Sequence, residues 1–166
     1  MSILTGLMIL ATSLGSQGTD ISAKPAPEWT AKFAGKEGWI GGDGVASAVL
    51  GPDRVLWLFG DTVLGTVKDG RRVGASMVNN TVGVQAGKAA AIRFVAGKKP
   101  DGKPAAFLTP AADATWFWPQ SAVRVGDRLY VFLPQIQRTR AGGVFGFKQV
   151  GQWLAVVENP DDEPES

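Results

Sequence analysis

Two aspartates set among glycines are the residues of this chain best suited to chemistry: Asp43 in GGDG and Asp61 in FGDT. Both fall in one stretch, GWIGGDGVASAVLGPDRVLWLFGDT, from Gly38 to Thr62. The 166-residue sequence holds no histidine and no cysteine. That excludes a Ser-His-Asp triad and thiolate metal sites, and leaves carboxylates, Lys, Tyr and hydroxyls as reactive groups. Two carboxylates without histidine suit glycoside hydrolysis, in which one protonates the leaving oxygen and the other acts as nucleophile or as base for water. Asp61 follows the apolar run VLWLF, where desolvation would raise its pKa and make it the acid. Asp43 lies between glycines, where backbone N–H groups can approach and keep it ionised. The sequence leaves these two roles exchangeable. A plainer reading gives both aspartates turn and strand-end duties, which are common for Asp.

Candidate substrate contacts surround the pair. Trp39 precedes GGDG, and Trp116 and Trp118 fall in the segment TWFWP. A flat indole with a polar N–H edge matches the CH-rich face of a sugar, although Trp also fills space between sheets. Asn79 and Asn80 open a strand and bring amide donors and acceptors for hydroxyls. No metal ligand set and no cofactor motif is present.

The elements that must position these residues are strands. Short β-branched and aromatic runs, punctuated by Gly, Pro, Asp and Asn, predict an all-β protein. Strands are expected at Val45–Leu50, Arg54–Gly60, Val78–Gln85, Ala90–Val95, Ser121–Val125, Arg128–Leu133 and Gln149–Val157. The segment GTVKDGRRVGAS reads as a loop with Asp69-Gly70 as a hairpin signal. GKKPDGKP reads as a solvated connection, and the acidic tail ENPDDEPES as frayed. Ser47-Ala48-Val49 recurs as Ser121-Ala122-Val123, and Asp53-Arg54 as Asp127-Arg128, both offset by 74 residues. A repeated strand unit of this kind predicts propeller blades, which bury their faces only against neighbours. The shift of 74 residues places Phe117 opposite Asp43 and Gln135 opposite Asp61. The scaffold recurs and both carboxylates do not, so the pair reads as specialised.

The expected organisation is a signal peptide over residues 1–15 and a polar lead-in over 16–37, extended at Pro25 and Pro27. A partial β-propeller follows over 38–160, with blade one at about 43–96 and blade two at about 115–160. The apolar run Ile3–Leu14 is too short to span a bilayer and suits a signal-peptide core with cleavage after Gly15. A bacterial protein that is secreted, or exported to the periplasm or cell surface, is therefore expected; the plainer alternative for this run is a buried first strand or helix. A net charge of +2 with scattered Lys and Arg points away from nucleic acid. About two blades are fewer than the four to eight that close a ring, so further blades are expected from a longer chain or from assembly.

The motifs GWIGGDG, LWLFGDT, MVNNTVG, FWP, FGF and LAVVENP resemble bacterial propeller families first catalogued as domains of unknown function. These are similar to five-bladed glycosidase-like propellers, and one branch includes endo-D-arabinanases acting on mycobacterial cell-wall arabinan. The resemblance covers about Gly38 to Pro160 and implies the first two blades of a five-bladed fold. It implies that Asp43 and Asp61 are the catalytic carboxylates, with retention of configuration in the arabinanase branch. It also implies that Asn79, Asn80 and Trp118 border the sugar cleft. The expected function is therefore a glycoside hydrolase-like propeller acting on a poly- or oligosaccharide. The alternative is a non-catalytic carbohydrate-binding or structural propeller at the cell surface.

Overall fold

The computed structural model describes residues 22–140, 142–143 and 145–165, so the expected signal peptide lies outside the described residues. The first element is a short helix, α1 (Pro27–Lys32), with Pro at its start, Glu28 in its first turn and Lys32 in its last. Proline needs no N–H bond in a first turn, and the two charges sit at the dipole ends that favour them. The lead-in is thus helical over Pro27–Lys32, where an extended segment was expected. The strands then run β1 (Glu37–Gly42), β2 (Ala46–Gly51), β3 (Arg54–Phe59), β4 (Thr62–Lys68), β5 (Arg71–Val78), β6 (Thr81–Ala86) and β7 (Arg93–Val95). After them come β8 (Gly97–Lys98), β9 (Pro104–Ala105), β10 (Thr115–Phe117), β11 (Ser121–Val125), β12 (Arg128–Arg138) and β13 (Phe147–Val157).

These strands form an all-β, propeller-like pair of antiparallel four-stranded sheets. The first has the order β2-β3-β6-β7; in the second, β12 pairs with β10 and β11 along one edge and with β13 along the other. A three-stranded sheet, β1-β4-β5, prolongs the first beyond a line of breaks at Asp43–Val45, Gly60–Asp61 and Asn79–Asn80. The segment read as a loop after Thr62 is therefore a hairpin. Its turn lies at Asp69 and Gly70, whose φ values of 50° and 73° match the paired left-handed residues of a type I′ turn. GKKPDGKP likewise closes on itself, with Gly97 opposite Ala105 and Lys98 opposite Pro104.

Alternation along β3 explains the layers. Leu56 and Leu58 turn toward the second sheet, joining Ala48, Leu50, Val82 and Val84 against Phe117, Leu129, Val131 and Leu133. Phe59, completely buried, turns the other way with Trp57. There it meets Trp39, Phe33 and Phe94 in an aromatic cluster reached by Trp29 of α1. The 74-residue repeat corresponds to β2-β3 and β11-β12, with one difference. A register shift between Val49 and Gly51 lets Val49 face Val55, whereas its counterpart Val123 faces Tyr130 rather than Leu129.

The acidic tail is held against the sheets rather than frayed. Arg54 of β3 meets Glu163 at 3.0 Å and the carbonyl of Asp162 at 2.9 Å, and Arg93 of β7 also pairs with Glu163. Arg124 of β11 grips Asp161 through two bonds of 2.6 and 2.8 Å and donates to the carbonyl of Leu50. One guanidinium thus bridges both sheets and the tail.

Candidate active site

The candidate carboxylates lie on the line where the first sheet breaks. Asp43 N–H donates to the carbonyl of Asp61 (3.1 Å), and Gly60 N–H donates to the carbonyl of Asp43 (2.8 Å). This pair of backbone bonds places side by side two residues 18 apart in sequence. Gly60 fits the crossing because it has no Cβ: one added there would lie 2.9 Å from Asp43 Oδ1. Gly44 follows Asp43 at a φ of 57°, a left-handed conformation that glycine adopts freely. Beneath the break, Thr62 Oγ1 donates to the carbonyl of Gly60 (3.0 Å) and lies 3.0 Å from Thr81 Oγ1; both threonines are completely buried. Two satisfied hydroxyls thus pin the kink from which Asp61 projects.

The two aspartates differ in their surroundings. Partial burial pushes the carboxyl of Asp43 above its ordinary range, and the nearby charge of Asp61 pushes it further; backbone N–H groups oppose both effects. The residue nonetheless remains exposed to solvent. Asp61 Oδ1 accepts the indole N–H of Trp118 at 2.8 Å and the amide of Asn79 at 3.4 Å. The upward shift therefore falls on the residue expected to be the ionised partner.

The expected substrate contacts divide into three groups. Asn79 and Trp118 reach Asp61 directly. Trp116 stands beside them, 5.7 Å from Trp118 and with the Arg138 guanidinium 5.8 Å from its ring. Trp39 and Asn80 are placed elsewhere. Trp39 is 6% exposed and stacks on Phe94 at 4.2 Å and 9°, so its face belongs to the aromatic core. Asn80 is completely buried. Its amide donates to the carbonyls of Leu108 (2.8 Å) and Phe117 (2.9 Å), and its oxygen accepts Leu108 N–H (2.7 Å). It is a staple between the sheets and has no surface to offer a sugar. Both expectations of sugar contact are corrected on that ground.

Sequence reasoning passed over Gly60, Thr62, Thr81 and Phe147. Phe147 sets its ring perpendicular to Trp118 at 4.7 Å. Its FGF context was visible, but only the pairing of β13 with β12 brings it to Trp118 (Phe147 faces Arg138). Among the described residues no group of three or more His, Cys, Asp or Glu is placed to hold a metal. No helix among them is long and apolar enough to cross a membrane.

The chain is similar in structure to a candidate hydrolase from Bacteroides ovatus ATCC 8483, with 20% identity and a TM-score of 0.70. The match covers 83% of this chain and 39% of that one, so the chain spans well under half of its neighbour's length. At this identity the likeness shows the fold alone. No curated protein matches the sequence. Residues 27–166 match the family described as Domain of unknown function (DUF5005), and the chain belongs to that family.

Proposed function

We propose that this domain is part of an exported, propeller-type glycoside hydrolase that cleaves a poly- or oligosaccharide through Asp43 and Asp61. The observation that carries the reading is the convergence of the two aspartates at one sheet break, in unequal environments. Asp43, pushed upward, is the proton donor to the glycosidic oxygen. Asp61, held by two N–H donors, is the carboxylate that attacks the anomeric carbon or deprotonates water. The hydrolase description of the Bacteroides ovatus protein supports the reaction class, and the motif resemblance to endo-D-arabinanases makes arabinan the first substrate to try.

The wall of the cleft beyond Trp118 and Trp116 is supplied by further β-sheet. Blade two presents an exposed apolar face, with Val123 at 46%, Leu154 at 50% and Val156 at 47% exposure. Tyr130 and Phe132 on that face are the repeat counterparts of Leu56 and Leu58, which pack blade one onto blade two. A following sheet docked in the same way would continue the ring.

The test is hydrolysis of a polysaccharide panel that includes arabinan, using the longest protein that contains this chain. Asp43→Asn and Asp61→Asn are each expected to reduce kcat by about 10²–10⁴-fold without loss of fold. Hydrolysis at the wild-type rate in either variant would overturn the assignment. Glycan binding that survives both substitutions, without turnover in the wild type, would favour a binding propeller.

A further inference from the structure

We infer that Trp118 is a positioning residue for Asp61, acting through its indole N–H rather than as a stacking platform for a sugar. This deepens the hydrolase reading and rests on it for the kinetic consequences only; the contact itself stands on geometry. Trp118 directly follows β10 of the second sheet and Asp61 lies in the break between β3 and β4, 57 residues apart, and Nε1 lies 2.8 Å from Asp61 Oδ1. Asn79 donates to the same oxygen at 3.4 Å, so among the described residues both side-chain donors to Asp61 fall on Oδ1. A carboxylate anchored through one oxygen by charge-assisted bonds keeps a fixed direction of attack.

The indole is itself packed from two sides. Phe147 packs edge-on at 4.7 Å, and Trp116 lies at 5.7 Å. The Trp118 backbone N–H donates to the carbonyl of Pro134 at 3.2 Å. The preceding carbonyl, that of Phe117, is fixed by the buried Asn80. Asn80 and Trp118 thus make two crossings between the sheets in opposite senses. One runs from the first sheet to the backbone at Phe117, and the other returns from Trp118 to Asp61. A stacking platform needs neither the N–H engaged by its own protein nor a bond between sheets. The candidate site is therefore assembled by docking of the two sheets.

Two substitutions separate the roles. Trp118→Phe keeps an aromatic face and removes the donor, whereas Trp118→Gln keeps an N–H donor and removes the face. Positioning predicts that Phe lowers kcat on the hydrolysed polysaccharide by about 10²-fold with KM changed less than about threefold, and that Gln recovers part of kcat. Stacking predicts the reverse order, with the loss mainly in KM, and that result would overturn the inference. A second measurement needs no activity. The Trp118 indole N–H resonance, assigned by its loss in Trp118→Phe, is expected to lie downfield in the full chain and to move upfield in Asp61→Ala. A resonance unmoved by Asp61→Ala would overturn the inference while leaving the hydrolase reading intact. A wild type that hydrolyses nothing on the panel overturns the hydrolase reading alone, because the resonance still reports the bond.

Discussion

Asp43 carries the clearest electrostatic signature in the site, and its sign makes a prediction. Its raised carboxyl is caused first by burial and then by the charge of Asp61. Removing that charge with Asp61→Asn should lower the titration midpoint of Asp43 while leaving the part due to burial, as followed by carboxyl carbon resonances against pH. A group whose folded pKa lies above its unfolded value favours the fold while protonated, and that contribution fades as pH rises through the folded pKa. Asp43→Asn should therefore gain stability over the wild type above about pH 4, with little difference at pH 3, in paired thermal melts. A gain confined to acid pH would contradict the assignment. The two aspartates and the glycines around them were legible in sequence because side-chain type and turn chemistry are local. Their unequal surroundings were not, since the burial of Asp43 and the charge of Asp61 beside it arise only where the backbones of Asp43, Gly60 and Asp61 meet across the sheet break.

At the scale of elements, the strand runs of β2, β3, β11 and β12 were readable because apolar runs and the turns Gly51-Pro52-Asp53 and Gly126-Asp127 are written in adjacent residues. The hairpin β4-β5 shows in sequence only through its Asp69-Gly70 turn, because β5 is exposed along most of its length and its apolar residues Val73 and Met77 stay at the surface. Its pairing with β4 comes from the Asp69-Gly70 turn and the backbone ladder. The tail was misread because its partners are arginines drawn from β3, β7 and β11, which no local pattern connects to it. Hydrogen bonding to Arg124 holds the Asp161 carboxyl below its ordinary range, and bonding to Arg93 does the same for Glu163. Depressed carboxyls stabilise a contact above their unfolded pKa and release it as pH falls through the folded value. Amide exchange over residues 158–164 should accelerate below about pH 4 and in molar salt, while the core strands remain protected. Arg124→Ala should produce the same acceleration at neutral pH. Equal protection in that variant would mean the tail is held by other contacts.

Across the whole molecule, the two sheets share one apolar layer, while the far side of the second is open. Phe132 on that side is 39% exposed. Phe132→Ala should cost the 166-residue chain about 1 kcal/mol, since the ring is already part-covered and loses its cross-strand contact with Leu154. In a longer protein whose next sheet covers the position, the same substitution should cost about 3–5 kcal/mol. Denaturant melts of both forms distinguish these outcomes, and equal small effects would argue against a sheet docked there. The open face also bears on the repeat: its Tyr130 and Phe132 stand 74 residues after Leu56 and Leu58, which in the first sheet are buried in the shared layer.

The sequence by itself determined the strand class and the repeat, and singled out Asp43 and Asp61 as candidates, because residue type, period and the absence of histidine and cysteine are properties of the chain alone. Only the tertiary structure decided which of the expected contacts reach the pair. Trp39 and Asn80 are chemically suited to sugars, yet the first packs into an aromatic core and the second staples two sheets. Trp118, read as a surface for a substrate, meets Asp61 across 57 residues. Side-chain direction at a sheet break depends on pairing register and on the neighbouring sheet, and neither is encoded in the local pattern.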